Sequence, residues 1–187
     1  VSMGAEIDVK DDVITVNGIS LPHKKCVADC CESGSTLRFL IPVAAALGIN
    51  ATFIGEGKLP ERPITPYLRE FKSKGIKFDY NNTMPFSISG KLSAGEYVLE
   101  GDISSQFITG LLFALPLCEE DSIIKLSSAL QSKPYVDMTI DCLKKFGIRV
   151  KEIENAYLIK GNQKYNAFSS RIEGDYSQAA FFYVANA

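Results

Sequence analysis

The chain has 187 residues, 46% of them apolar and 22% charged, with a formal net charge of −2. That balance is ordinary for a globular protein with a sizeable core. It advertises no basic face for nucleic acid. The longest apolar run, Phe39 to Ile49, holds Pro42 and Gly48 and falls short of the roughly 18–20 residues a membrane helix needs. No signal-peptide pattern is expected from the first residues.

Taken in chain order, Met3 to Val9 and Val13 to Gly18 read as two strands of a hairpin. The polar stretch Pro22-His23-Lys24-Lys25 follows, and a surface loop is expected for His23, the only histidine. The cysteines are Cys26, Cys30, Cys31, Cys118 and Cys142, an odd number without a CxxC pair. Reduced thiols in a cytosolic protein are expected rather than disulfides or a metal site, with Cys30-Cys31 at a buried strand end. Ser33-Gly34-Ser35-Thr36 then supplies N-cap residue types before an apolar helix, Leu37 to Leu47, which Gly48 stops. A strand, Ala51 to Ile54, leads through a loop to Pro63, near the first turn of a second helix at about Pro66 to Ser73. Gly75 ends that helix, and strands Ile76–Tyr80 and Phe86–Ser89 close the unit.

The same order then repeats at an offset of about 71 residues. A lead-in strand, Val98 to Glu100, precedes Ser104-Ser105-Gln106 and the apolar helix Phe107 to Leu117. Strand Ser122–Leu126, Pro134, helix Tyr135–Lys145, Gly147 and strands Ile148–Ile153 and Ala156–Ile159 complete the copy. In that second helix Val136, Ile140 and Leu143 make one apolar face. Ser33 falls on Ser104, Pro63 on Pro134 and Gly90 on Gly161. The expected fold is therefore α/β, built from repeated βαβαββ units. The opening hairpin matches the end of such a unit, because Gly4 stands about 71 residues before Gly75. Gly174-Asp175-Tyr176-Ser177-Gln178 echoes Gly101-Asp102-Ile103-Ser104-Ser105 and opens another apolar helix. A chain that starts and ends in mid-unit reads as a fragment of a longer protein, with exposed strands and apolar faces at both ends.

Chemistry is expected where hydroxyls gather at helix starts, since unpaired N–H groups and a partial positive charge suit phosphate or carboxylate. Glu32-Ser33-Gly34-Ser35-Thr36, Ser104-Ser105-Gln106 and Ser132-Lys133-Pro134-Tyr135 are such clusters, and capping is the plain alternative for each. Two arginines sharpen the case. Arg38 lies one turn inside an apolar helix and needs a partner or a ligand. Its structural reading is an ion pair with an acid such as Glu61 or Asp102. Arg62 stands in a Gly- and Pro-flanked loop, Gly55 to Pro63, where it is either a solvated charge or a fork for an anion.

Five motifs occur in order: Glu32-Ser33-Gly34-Ser35-Thr36-Leu37-Arg38, Glu61-Arg62-Pro63, Gly101-Asp102-Ile103-Ser104-Ser105-Gln106-Phe107, Ser132-Lys133-Pro134-Tyr135 and Glu173-Gly174-Asp175. Together they resemble the N-terminal half of the 5-enolpyruvylshikimate-3-phosphate synthases, enzymes of aromatic amino acid biosynthesis and the target of glyphosate. The resemblance spans the chain and departs at Glu32, where many relatives have Asn. It implies a pseudo-threefold arrangement of units in each of two domains with the active site between them. Residues 1–172 would be a partial first domain, with units at about 1–20, 26–90 and 97–161, and residues 173–187 the start of the second. The implied reaction moves the enolpyruvyl group of phosphoenolpyruvate to the 5-hydroxyl of shikimate-3-phosphate and releases phosphate. No metal or organic cofactor is implied, and the implied parent is a cytoplasmic monomer. By resemblance Ser104, Ser105, Gln106, Ser132 and Tyr135 would hold shikimate-3-phosphate. Gly34, Arg38, Arg62 and Gln106 would hold phosphoenolpyruvate, and glyphosate would crowd Gly34. The acid–base residues would lie outside this chain, so catalytic residues are expected to be absent from it and the chain alone to be inactive. Two other readings stand beside this one. The sister transferase acting on UDP-N-acetylglucosamine usually carries a cysteine in the loop matching Gly55 to Arg62, and that loop has none here. A non-catalytic βα-repeat scaffold would use both arginines as structural ions and the serines only as caps.

Overall fold

The computed structural model describes residues 1–11, 13–169, 174 and 176–186. The chain opens with a hairpin of β1 (Glu6–Lys10) and β2 (Val13–Asn17), antiparallel with Lys10 opposite Val13. Two complete βαβαββ units follow. The first comprises β3 (Lys25–Asp29), α1 (Gly34–Ala46), β4 (Asn50–Ile54), α2 (Thr65–Lys72), β5 (Lys77–Asp79) and β6 (Phe86–Ser89). The second comprises β7 (Glu96–Leu99), α3 (Ser105–Ala114), β8 (Ser122–Leu126), α4 (Lys133–Lys145), β9 (Val150–Ile153) and β10 (Ala156–Ile159). A last helix, α5, spans Tyr176–Ala185.

The sheets have the same strand order, β3-β4-β6-β5 and β7-β8-β10-β9. In each, the first two strands are parallel, joined by an α-helical crossover, and the last strand of the closing hairpin pairs antiparallel with the second. The repeat in the sequence is thus a repeat in space.

The burial of each helix follows its composition. Helix α3 is apolar nearly all round, and Phe107 through Leu112 are all buried. Helix α1 is almost as apolar, and the two pack on each other at the centre of the molecule. Helices α2 and α4 carry one apolar face each and lie further out; α4 also packs on α3. Aromatic rings fill the junction between the units. Tyr67 stacks on Phe71 at 4.8 Å and meets Phe107 edge-on at 4.9 Å, and Phe71 reaches Tyr97 at 6.3 Å. Each such ring, once buried, contributes about 1.5–3 kcal/mol in transfer alone.

A polar clamp also spans the units. The Arg69 guanidinium of α2 donates to both Glu100 oxygens, at 2.5 and 3.0 Å, and to the Val98 carbonyl. Glu70 accepts from the Val98 N–H at 2.8 Å. The Arg69 hydrogen bond is the main reason that the Glu100 carboxyl is held below the usual glutamate range.

Several sequence expectations shift in detail. The lead-in strand is Glu96–Leu99 rather than Val98–Glu100, because it pairs in parallel with Ile123–Leu126 and Glu100 turns out to meet Arg69. Pro66, not Pro63, is the counterpart of Pro134: each occupies the first turn of its helix, while Pro63 precedes the N-cap Ile64. The second apolar helix ends at Ala114 and continues as a 3₁₀ turn, Leu115–Leu117, around Pro116. Cys30 is buried, but Cys31 is exposed at a φ of 45°, beyond the strand end. All five thiols are free, and burial pushes the Cys30 thiol up to about 11. His23 is exposed, with Nδ1 3.0 Å from the Ser2 carbonyl. The Glu173-Gly174-Asp175 motif lies, apart from Gly174, outside the described residues. Among the described residues no helix is long and apolar enough to cross a membrane.

The close approach of α1 and α3 depends on Gly110. A Cβ there would stand 2.3 Å from the Tyr67 hydroxyl and 2.4 Å from the Arg38 carbonyl oxygen, which is backbone and cannot swing aside. Gly110→Ala is expected to lower stability by about 2–3 kcal/mol, read as a falling denaturation midpoint. Unchanged stability would mean that the helices are not in the contact described.

Candidate functional site

Two features meet where the N-terminal ends of α1, α3 and α4 converge. The first is a cavity of about 560 Å³ whose polar lining includes Ser104, Ser105, Gln106, Ser132 and Tyr135, with Thr109 and Thr139. The second is a pair of arginines beside it.

The cavity exists because a local knot brings two loops together. The Gly101 N–H donates to Ser128 Oγ at 2.9 Å, Ser128 Oγ donates to Asp102 at 2.6 Å, and the Gln131 N–H donates to the Gly101 carbonyl. A Cβ on Gly101 would lie 2.7 Å from the Ser128 carbonyl oxygen, so only glycine lets the loops approach this closely. The turn before α3 and the turn before α4 therefore open on the same space. Ser104 caps α3, its Oγ accepting from the Gln106 N–H at 3.3 Å. Ser33 caps α1 in the same way through the Thr36 N–H at 3.1 Å. Ser132 holds the N-cap position of α4 but makes no side-chain capping bond. Capping thus accounts for Ser33 and for part of Ser104, and it does not account for Ser132. Ser105 is buried, whereas Tyr135 is 63% exposed and stands at the mouth.

The floor holds residues that the sequence reading passed over. Thr109 Oγ1 and Thr139 Oγ1 lie 3.2 Å apart, and Thr139 donates to the Tyr135 carbonyl at 2.8 Å. Their signal was helical spacing: Thr109 is one turn beyond Gln106, and Thr139 one turn beyond Tyr135. Ser35 and the apolar side chains of Phe39, Ile103, Phe113 and Met138 complete the wall.

Arg38 does not pair with Glu61 or Asp102. It is half-buried, donates to Gln106 Oε1 at 2.8 Å and lies over the Phe107 ring at 4.8 Å. Asp102 instead accepts from Ser128. Arg62 comes from the loop before α2 and points at the same spot. A Cβ built on Gly34 would stand 3.1 Å from an Arg62 Nη and 3.9 Å from an Arg38 Nη. Among the described residues neither guanidinium has a carboxylate within 4.0 Å. Burial, and then the charge of Arg62, lower the pKa of Arg38. The two cations repel one another, and an anion between them relieves that repulsion.

The site is thus a cationic corner at Gly34 that shares Gln106 with a hydroxyl-lined cavity. The hydroxyls, amide and guanidinium groups gathered here can bind and position anions and hydroxyls. Among the described residues no group of His, Cys, Asp and Glu could hold a metal ion.

Comparison with known proteins gives the family of the chain. The family model for EPSP synthase (3-phosphoshikimate 1-carboxyvinyltransferase) matches residues 2–187. Proteins named 3-phosphoshikimate 1-carboxyvinyltransferase from Clostridium beijerinckii and Clostridium kluyveri are 47% and 49% identical over 100% of this chain. The chain spans less than half the length of these relatives, 45% and 44%. A solved EPSP synthase from Acinetobacter baumannii shares the fold, with a TM-score of 0.79 at 24% identity, over 98% of this chain and 42% of that one. The chain belongs to the EPSP synthase (3-phosphoshikimate 1-carboxyvinyltransferase) family.

Proposed function

We propose that this chain supplies half of the substrate site of an enzyme that transfers the enolpyruvyl group of phosphoenolpyruvate to the 5-hydroxyl of shikimate-3-phosphate. One observation carries the reading: Arg38 and Arg62 converge on Gly34 without a carboxylate, next to a cavity whose wall they share through Gln106. Two anionic reactants need two adjoining sites, and a wall in common holds them in register. In this reading Ser104, Ser105, Gln106 and Ser132 bind shikimate-3-phosphate, with Tyr135 against its ring. Gly34, Arg38, Arg62 and Gln106 bind phosphoenolpyruvate. Addition of the 5-hydroxyl oxygen to phosphoenolpyruvate is followed by loss of phosphate. The arginines offset the charge of the anion throughout, and Arg38, already held by Gln106, needs little reorganisation in the transition state. The proton transfers are assigned to groups outside this chain, which is therefore inactive alone. Residues 1–172 form part of the first domain and residues 173–187 begin the second. The five free thiols suit a cytoplasmic protein.

An NMR titration with shikimate-3-phosphate, with UDP-N-acetylglucosamine as control, tests this assignment. Selective shifts at Ser104, Ser105, Gln106 and Ser132 are expected, with none from the control. A dispersed spectrum that ignores shikimate-3-phosphate would favour a scaffold, and shifts from the control alone would favour the sister transferase. At the other end, Gly34→Ala places a methyl group 3.1 Å from an Arg62 Nη, so the guanidinium must yield. Alanine is the better helix former, so stability should hold or rise by up to about 1 kcal/mol. Phosphoenolpyruvate affinity should fall severalfold while shikimate-3-phosphate affinity is kept. Equal affinity for phosphoenolpyruvate in both proteins would remove Gly34 from the site.

A further inference from the structure

Pro42 lies inside α1 and has no N–H. In a regular helix the N–H of residue 42 would bond the carbonyl of residue 38, so Pro42 leaves the Arg38 carbonyl without its helical donor. That carbonyl faces the buried Gly110 of α3, where the two helices approach closely. A buried carbonyl without a donor costs about 1–3 kcal/mol and is rare in folded proteins. Here the donor is Tyr67 of α2. Its ring is fully buried, and its hydroxyl lies 2.8 Å from the Arg38 carbonyl oxygen and 3.0 Å from the Phe107 carbonyl oxygen. One phenolic proton thus bridges the backbones of α1 and α3, at the two residues whose neighbouring side chains build the cationic corner. Arg38 carries the guanidinium, and Gln106, next to Phe107, accepts from it. The same Phe107 supplies the ring under Arg38. Burial drives the Tyr67 phenol pKa well up, so the hydroxyl keeps its proton and stays a donor.

We infer that Tyr67 is a positioning residue: its hydroxyl takes up the Arg38 carbonyl freed by Pro42 and pins α1 on α3, so that Arg38 and Gln106 meet at the anion-binding corner. The gap left by Gly110 is what admits the hydroxyl. This inference rests on the proposed reading of that corner as the phosphoenolpyruvate end of the site. Apolar helix faces alone fix such a register poorly, because packing tolerates small slides, whereas a shared polar bond has one geometry.

Tyr67→Phe keeps the ring and removes the oxygen. The Arg38 Nε–Hε and Gln106 side-chain amide resonances should move in the ligand-free variant. Affinity for phosphoenolpyruvate should fall at least about fivefold, because a small misplacement of a binding group is costly. Shikimate-3-phosphate affinity should fall less than that for phosphoenolpyruvate, since only Gln106 among its ligands is displaced, while the loops that carry Ser104 and Ser132 are held by the separate Gly101–Ser128 knot. The double variant Tyr67→Phe with Pro42→Ala separates positioning from stability. Residue 42 then offers its own N–H to the Arg38 carbonyl, so melting temperature should recover, and folding is secured if the single variant unfolds. The bridge to α3 remains absent, so the displaced resonances and weakened phosphoenolpyruvate binding should persist. Wild-type resonances and affinity in the folded double variant would overturn the inference and leave Tyr67 a stability residue. If the wild-type chain binds no phosphoenolpyruvate, the proposed function fails, and the ligand-free resonances still decide the positioning role.

Discussion

The packing of α1 on α3 is the constraint on which the rest of the structure depends. Both helices are apolar enough to be buried against each other. Each begins at a serine cap that faces the same end of the molecule. Their contact carries Arg38 to Gln106 and lays the guanidinium on Phe107. Without that contact the arginine would be one more half-buried charge in search of a partner. With it, the charge is held ready at a corner that Arg62 completes from the preceding loop.

The repeat explains why the parts arrive together. Each unit delivers one apolar helix to the centre and one amphipathic helix to the outside, with the same strand order beneath. Duplication therefore sets two helix starts side by side. What differs between the copies is the chemistry added to the common frame. The first copy carries Gly34, Arg38 and Arg62, which suit a compact anion. The second carries Ser104, Ser105, Gln106, Ser132 and Tyr135, which suit a larger, hydroxyl-rich one. Gly101 and Gly110 are two of the places where backbone meets backbone or hydroxyl too closely for a side chain, and they are the two that frame the site.

Much of this was legible in the residues. The offset, the apolar helices, the caps at Ser33 and Ser104 and the closing hairpins follow from local pattern, because periodicity and turn chemistry act over a few residues. The family motifs supplied the residues now proposed for the site. What the sequence concealed is tertiary. Nothing local distinguishes Pro66 from Pro63 as the partner of Pro134, and only the helix start decides it. The acids near Arg38 in sequence patterns were plausible partners, but Asp102 is committed to the knot at Ser128. Tyr67 reads as one aromatic among many until its hydroxyl is seen between two carbonyls. Pro42 gave half of that signal, since a proline in a helix always frees a carbonyl four residues earlier.

The central claim is that Arg38 and Arg62 act as one anion site beside a second site for the acceptor. It is tested most directly by following both arginine Nε–Hε resonances as phosphoenolpyruvate is added to the chain saturated with shikimate-3-phosphate. The account predicts that the two resonances move together along one binding curve. Arginine resonances that stay still, or that move along separate curves, would contradict it.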